Sequence, residues 1–334
     1  MTNSFPERIL ISGGREIGGI GSFADSLREG FTALGIAAEI LPPFGIFRRV
    51  RELRDPKILK ILSTTAVFAA PFARRTICMA HGFPCVAHQG WLRTLAVIAS
   101  FKLATVFHGT QLVCVSDYSA LHLQSIFGLR VDSVIRNPVH PMFLEEAPEA
   151  DRERNAMIYV GRLHSAKNID RLLPAMRDLL DENSGLQICI VGEGPLRPAL
   201  ESLAGGDNRI EFLGGLPLRQ VLGRLRCSRV FVSGNPTEPF GIVYLEALSQ
   251  GCAVAMPASG GGLEIAPELI GRQIFLFPTA MEREDIASAL RKALKAEPVI
   301  ATLSNYSASS VCQSYLAVDA RFTKRGFFQP EGIR

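Results

Sequence analysis

Two glutamates with seven residues between them carry the strongest chemical signal in the sequence. They lie in Thr237-Glu238-Pro239-Phe240-Gly241-Ile242-Val243-Tyr244-Leu245-Glu246-Ala247, which follows the apolar run VFVSG and opens a helical pattern. A pair of carboxylates suggests a general acid and base. At about 1.5 Å rise per residue they would stand ~12 Å apart along a helix. Carboxylates flanking a single bond are usually about 5–10 Å apart. The spacing therefore suits an elongated ligand gripped at both ends. Between the glutamates a helix starts at Gly241, Ile242 and Val243, and the free N–H groups of such a start favour a phosphate. A sugar at one end, a diphosphate in the middle and a ribose at the other would fit. The plainer reading is a loop glutamate followed by a surface helical one.

A second segment, Gly161-Arg162-Leu163-His164-Ser165-Ala166-Lys167-Asn168, joins a strand pattern to a helix pattern. Arg162 offers a planar fork and Lys167 a point charge, and two cations on one such loop can converge on a diphosphate. An exposed basic loop is the alternative, and His164 at its tip reads as solvated. Val191-Gly192-Glu193-Gly194-Pro195 and Ser259-Gly260-Gly261-Gly262-Leu263-Glu264 also end strands with glycine, which permits close backbone approach. Gly192 and Gly194 are expected to be structural, while Gly260–Gly262 stand between structure and ligand contact.

Near the N-terminus, Gly13-Gly14-Arg15-Glu16-Ile17-Gly18-Gly19-Ile20-Gly21 is a further glycine loop. Within it Gly19-x-Gly21-x-x-Ala24, with Glu39 downstream, matches a dinucleotide fingerprint and makes an NAD-dependent oxidoreductase the rival reading. That fingerprint starts five residues after the strand pattern ISGG, and it leaves Arg162, Lys167, Glu238 and Glu246 unexplained. Cys78-x2-His81-x3-Cys85-x2-His88 has zinc-ligand residue types. The four fall within eleven residues around Pro84, leaving little chain to wrap an ion. No Asp-x-Asp occurs, so no carboxylate pair for a diphosphate-bound metal is encoded.

The elements that must position these residues are legible as an alternation. After residue 154, MIYVG, QICIVG, IEFLG, VFVSG, CAVAMP and QIFLFP read as strands. Helical patterns separate them, at Asn168–Asp181, PLRPALESLAG, PLRQVLGRLRC, Gly241–Gln250 and Glu284–Lys295. This order predicts βαβ units on a parallel sheet. The first half has the same grammar: RILISGG, AAEIL, AVFAA, TICMAHG and QLVCVS as strands, with a helix over Ser22–Leu34. The charged stretch LEEAPEADRERN marks a boundary. The expected domains are 1–150 and 151–305, with 306–334 forming a helix that crosses back. Ligands of open α/β sheets bind at the C-terminal strand ends, so the cleft between domains is the expected site.

Composition narrows the class. A chain of 334 residues, 47% hydrophobic and 20% charged, is neither disordered nor fibrous. A net charge of +4 is too small to argue for nucleic acid. From Arg48 to Lys60, six basic residues stand against Glu52 and Asp55. They form either a solvated helix face or, with Phe44, Ile46 and Phe47 just before them, a segment drawn to anionic lipid headgroups. Seven dispersed cysteines favour a reducing compartment. MTNSFPERIL lacks a signal-peptide pattern and no apolar run is long enough to span a bilayer. The expected location is cytoplasmic, with peripheral attachment to the inner membrane.

Residues 156–296 resemble the retaining family 4 glycosyltransferases (glycosyl transferases group 1), and the first half resembles them more faintly. The resemblance implies the GT-B fold: α/β, two Rossmann-like domains facing across a cleft. It also implies roles. Glu238 would contact the donor sugar's hydroxyls and Glu246 the ribose, while Arg162 and Lys167 neutralise the leaving diphosphate. The loop with Gly19 and Gly21 is similar to the family's glycine loop facing donor phosphates and acceptor. His81-Gly82 is similar to its strand-ending His-Gly, whose histidine lies near the donor sugar. Ser116-Asp117 and Asn137-Pro138 match further strand ends, or are simply turn chemistry. The implied activity moves a sugar from a nucleotide-diphosphate sugar to a glycan or lipid-linked acceptor, in bacterial envelope polysaccharide or lipopolysaccharide synthesis. It needs neither cofactor nor metal. A nucleotide-sugar-binding protein without transferase activity is the alternative from another class.

Overall fold

The runs RILIS, ILKILS, TICMA and TQLVC are buried nearly end to end, as strands covered on both faces must be. They belong to the first of two compact units into which the chain divides, Met1–Pro141 with Ser304–Arg334; the second is Met142–Leu303. The computed structural model describes residues 5–13, 19–42, 44–82, 91–106, 110–145 and 155–324.

The first unit runs β1 (Arg8–Ser12), α1 (Gly19–Ala33), β2 (Ala37–Leu41), α2 (Val50–Arg54), β3 (Ile58–Ser63), β4 (Thr76–Ala80), α3 (Trp91–Val106), β5 (Thr110–Cys114), α4 (Asp117–Phe127) and β6 (Ser133–Val134). Its strands form a parallel sheet in the order β2-β1-β3-β4-β5-β6. Gly13 lets helix and strand meet, because a Cβ there would lie 2.4 Å from that of Ala24 on α1.

Two expectations in this unit fail for one reason. AVFAA (66–70) is not a strand but part of a 3-10 segment, Thr64–Phe72, and the strand is ILKILS just before it. Lys60 makes that run look like the end of a basic helix, yet Lys60 is fully buried and its Nζ donates to the carbonyl oxygens of Asp55 and Arg74. Burial lowers its pKa to about 8. The segment Arg48–Lys60 is thus no single basic helix. It comprises the end of a 3-10 turn (Gly45–Arg48), α2 and half of β3. Arg49 is spent on Glu39 and Glu52, at 2.9 and 2.7 Å, and Lys57 on Glu7 at 2.8 Å. Ile46, expected beside the charges at a surface, is buried.

The second unit comprises β7 (Ala156–Val160), α5 (Ile169–Glu182), β8 (Gln187–Val191), α6 (Arg197–Ala204), β9 (Ile210–Gly214), α7 (Leu218–Arg226), β10 (Ser228–Val232), α8 (Ile242–Ser249), β11 (Ala253–Pro257), β12 (Ile274–Phe277) and α9 (Arg283–Lys295). Ile169, Leu172, Leu173, Met176, Leu179 and Leu180 recur at helical spacing and are buried along α5. The parallel sheet has the order β12-β11-β10-β7-β8-β9. The chain winds from β7 out through β8 to β9, then returns beside β7 at β10. The strand order therefore reverses between β7 and β10, where open α/β sheets bind ligands.

The last helix, α10 (Ala308–Lys324), belongs to the first unit. Asp319 on α10 meets Arg75 at 2.7 Å in a buried ion pair, and Cys312 donates to the Leu27 carbonyl on α1. The two domains therefore match the expected α/β class, each with a parallel six-stranded sheet.

Candidate active site

The loop after β7 is fixed from inside. Tyr159 is buried at the strand end and its hydroxyl donates to the Arg162 carbonyl at 2.9 Å. Leu163 is buried, and its N–H donates to Glu193 O at 2.9 Å. That ladder requires glycine opposite. A Cβ on Gly192, at φ +140°, would lie 1.9 Å from Gly161 O, and one on Gly194 2.3 Å from Leu163 O. Both glycines let two loops lie backbone to backbone. His164 is not simply solvated: half-buried, it accepts from the Ala166 N–H and caps the short turn Ser165–Lys167. Arg162 is exposed, with no ion pair among the described residues.

The neighbouring loop, after β10, meets this one. Asn168 takes a left-handed conformation, and its amide donates to Gly234 O at 2.8 Å. Lys167 Nζ then reaches Glu238 Oε2 at 2.7 Å. Asn235, buried, donates its Nδ2 to the same oxygen at 2.8 Å, while its Oδ1 accepts from the Thr237 N–H and hydroxyl, each at 3.1 Å. Both donors fall on Oε2; Oε1 has no hydrogen-bond partner among the described residues. The third loop, after β11, braces the turn: Gly261 N–H donates to Glu238 O at 2.8 Å, and a Cβ on Gly260 would lie 2.9 Å from that oxygen. Gly260 and Gly261 thus support the glutamate, and Gly262 lies against Tyr244.

Glu238 lies in a turn, so the two glutamates do not share a helix and the helical spacing estimate does not apply to them. Gly241, left-handed at φ 92°, caps α8. The first-turn N–H groups of Ile242 and Val243 have no acceptor within the helix. The Tyr244 hydroxyl is bonded to Ser233 Oγ at 2.7 Å, which ties α8 to the end of β10. Glu246 is only 6% exposed, and its carboxylate has no hydrogen bond or ion pair among the described residues. Burial raises its pKa to about 7. A largely buried carboxylate without donors is costly when ionised unless something supplies them.

Three expected residues belong to the first unit. Gly19 and Gly21 open α1, and the loop before them, 14–18, lies outside the described residues. Phe23 on the same helix packs edge-on against His81, with ring centroids 4.5 Å apart. His81 follows β4; its Nε2 is buried without a hydrogen-bond partner among the described residues, and burial lowers its pKa to about 4. It is a neutral imidazole at physiological pH. Of the residues weighed for zinc, Cys78 is buried within β4, and Cys85 and His88 lie outside the described residues. Among the described residues no three His, Cys, Asp or Glu side chains gather as a metal site would need. Ser116 accepts from Ser119 N–H as the cap of α4, which is turn chemistry; Asn137 Oδ1 is buried without a partner among the described residues.

The supporting roles of Asn235, Tyr159 and Asn168 were not expected from the sequence. Their signals were faint: a tyrosine inside an apolar strand, and asparagines placed as turns often place them.

The model of the glycosyl transferases group 1 matches residues 143–309, half of the chain. A relative from Mycobacterium tuberculosis, the GDP-mannose-dependent alpha-(1-6)-phosphatidylinositol dimannoside mannosyltransferase, is 30% identical over 174 residues, 47% of this chain and 45% of that protein. The chain spans about half or less of the length of the first curated relatives it matches. Among solved structures, HepE from Anabaena, in complex with UDP and glucose, superposes with a TM-score of 0.65 at 17% identity, covering 94% of this chain and 95% of that one. WaaG, a glycosyltransferase involved in lipopolysaccharide biosynthesis, gives 0.64 at 16% identity and 96% coverage of both. At such identity these two likenesses speak for the fold.

Proposed function

The chain belongs to the glycosyl transferases group 1, and from that premise we propose that it transfers a sugar from a nucleotide-diphosphate sugar to a glycan or lipid-linked acceptor, retaining anomeric configuration. The observation that carries this reading is the convergence of Lys167, Asn235 and Glu238 where the strand order reverses. Glu238 offers Oε1 to donor-sugar hydroxyls while Oε2 is held. Lys167 and Arg162 face the diphosphate together with the α8 N-terminus at Gly241, Ile242 and Val243. Glu246 binds the ribose, whose hydroxyls provide the donors its carboxyl lacks. For Gly19, Gly21 and His81 of the first unit, the family resemblance alone supports a part in donor binding.

In the reaction the bond from the anomeric carbon to the diphosphate oxygen breaks. The acceptor hydroxyl oxygen bonds to the same face, and its proton passes to the departing diphosphate. Catalysis is then mainly leaving-group stabilisation and orientation. Cationic side chains and a helix end carry the charge, without a cofactor or a metal. The similarity to a GDP-mannose-dependent mannosyltransferase acting on a phosphatidylinositol dimannoside, and to proteins that bind UDP or take part in lipopolysaccharide biosynthesis, supports a UDP- or GDP-sugar donor and an acceptor with a lipid portion. They fit envelope polysaccharide or lipopolysaccharide synthesis by a protein peripheral to the inner membrane; among the described residues no helix is long and apolar enough to cross one.

A thermal-shift panel of UDP-, GDP- and other nucleotide sugars, with NADH alongside, tests the reading. One or more nucleotide sugars should raise the melting temperature, by an amount that grows with the logarithm of concentration over dissociation constant. Stabilisation by NADH alone would overturn it in favour of a dehydrogenase.

A further inference from the structure

The first unit leaves an unusual amount of apolar side chain in water. Helix α3 buries Thr94, Ser100, Phe101 and Ala104, and exposes Leu92, Leu95, Ala96, Ala99, Lys102, Leu103 and Val106. These recur every three or four residues, so they form one stripe of the helix. Such a stripe ordinarily faces a core; here Leu92 is 66% and Val106 74% exposed. The 3-10 segment Thr64–Phe72 packs against α3 and exposes Phe68 and Phe72; it also packs against α2 and the turn carrying exposed Phe47.

Charge marks the same region. Between Leu41 and Ser116 the sequence has ten Lys and Arg but only two acids, Glu52 and Asp55. Glu52 is engaged by Arg8 and Arg49, and α3 contains no acid. Arg48, Arg51, Arg54, Arg74 and Lys102 are exposed, with no ion pair among the described residues.

We propose that this face of the first unit docks on an anionic lipid bilayer, with α3 lying in the interface. Its apolar stripe would sit at the headgroup–acyl boundary and the cations among the headgroups. Sixteen residues are too few to span. A second copy of the chain would bring like charges together, which disfavours self-association. The role of this docking rests on the lipid-linked acceptor proposed above; the docking itself does not.

Trp91, 62% exposed at the start of α3, is the chain's single tryptophan and reports on this face alone. With vesicles of phosphatidylglycerol and phosphatidylcholine at low salt, its emission should move to shorter wavelength and the protein should co-sediment. Phosphatidylcholine alone, or high salt, should weaken both. Changing Leu92, Leu95 and Leu103 together to Ser should lower partitioning about tenfold or more. Changing Arg48, Arg51 and Arg54 to Ser should weaken the salt-sensitive part, which keeps the test decisive if the first variant folds poorly. The thermal shift with nucleotide sugar should be unaltered in both, separating this claim from the transferase reading. Unchanged Trp91 emission with anionic vesicles at low salt would overturn the proposal. So would wild-type partitioning of a folded triple-Ser variant, or a dimer in sedimentation that this variant abolishes.

Discussion

At the scale of single residues, the proposed transfer depends on charges placed where a leaving diphosphate would grow its own. Arg162→Ala and Lys167→Ala should each lower turnover about 10²–10³-fold, the usual cost of removing one electrostatic donor from a transition state. Steady-state kinetics with wild-type turnover in both would contradict the assignment. Glu246 makes a separate claim about pH. Its folded pKa is raised, from 4.5 to about 7. The folded state therefore keeps a proton that the unfolded chain has lost, and stability falls as pH rises from about 4.5 to 7. Glu246→Gln, uncharged throughout, should be more stable than wild type at pH 8 by about 3 kcal/mol, with little difference at pH 4.5. Thermal melts at the two pH values check this. Glu238, Glu246, Arg162 and Lys167 stand out in the sequence because their types and order are unusual between strand and helix patterns. The Lys167–Glu238 ion pair was not legible, because 71 residues separate the partners and only the return of β10 beside β7 joins them.

At the scale of elements, the site depends on four loops, which follow the adjacent parallel strands β8, β7, β10 and β11 and brace one another largely through backbone. Gly192 is the tightest of these supports. Gly192→Ala would put a Cβ into Gly161 O at a φ that L-residues rarely adopt. The loop carrying Arg162 and Lys167 must then shift. We expect a loss of about 2–4 kcal/mol in stability, typical of forced backbone strain combined with overpacking, together with weaker donor binding. Urea melts and calorimetry would measure both, and a wild-type melt would contradict the backbone-to-backbone packing. Most strands and helices of the second unit were legible, because its amphipathic helices and apolar strands keep different periods. The first unit was harder to read. ILKILS and AVFAA are both short apolar runs, and nothing local says that the one containing a lysine enters the sheet. Lys60 does so because two carbonyl oxygens receive its ammonium, a partnership made only by the fold.

At the scale of the whole molecule, the chain returns to complete its first unit, and the buried Arg75–Asp319 pair fastens that return. Asp319→Ala leaves Arg75 buried without its counter-charge and should cost about 3–5 kcal/mol. Calorimetric unfolding should show that loss in a transition involving the first unit; an unchanged melt would contradict the role given to α10. Two parallel-sheet domains could be read from alternation alone, because each βαβ unit announces itself locally. The attachment of α10 to α1 could not, since a helix beyond the last βα unit carries no local mark of what it packs against. The most direct test of the central claim, a nucleotide sugar held along the second unit from Glu238 to Glu246, is titration calorimetry of the Glu238→Ala and Glu246→Ala variants. Each would be titrated with the free nucleoside diphosphate and with the stabilising nucleotide sugar. The account predicts that Glu246→Ala loses affinity for both ligands, whereas Glu238→Ala binds the free diphosphate like wild type and loses the increment due to the sugar. Equal losses in the two variants, or a wild type that binds no nucleoside diphosphate, would contradict it.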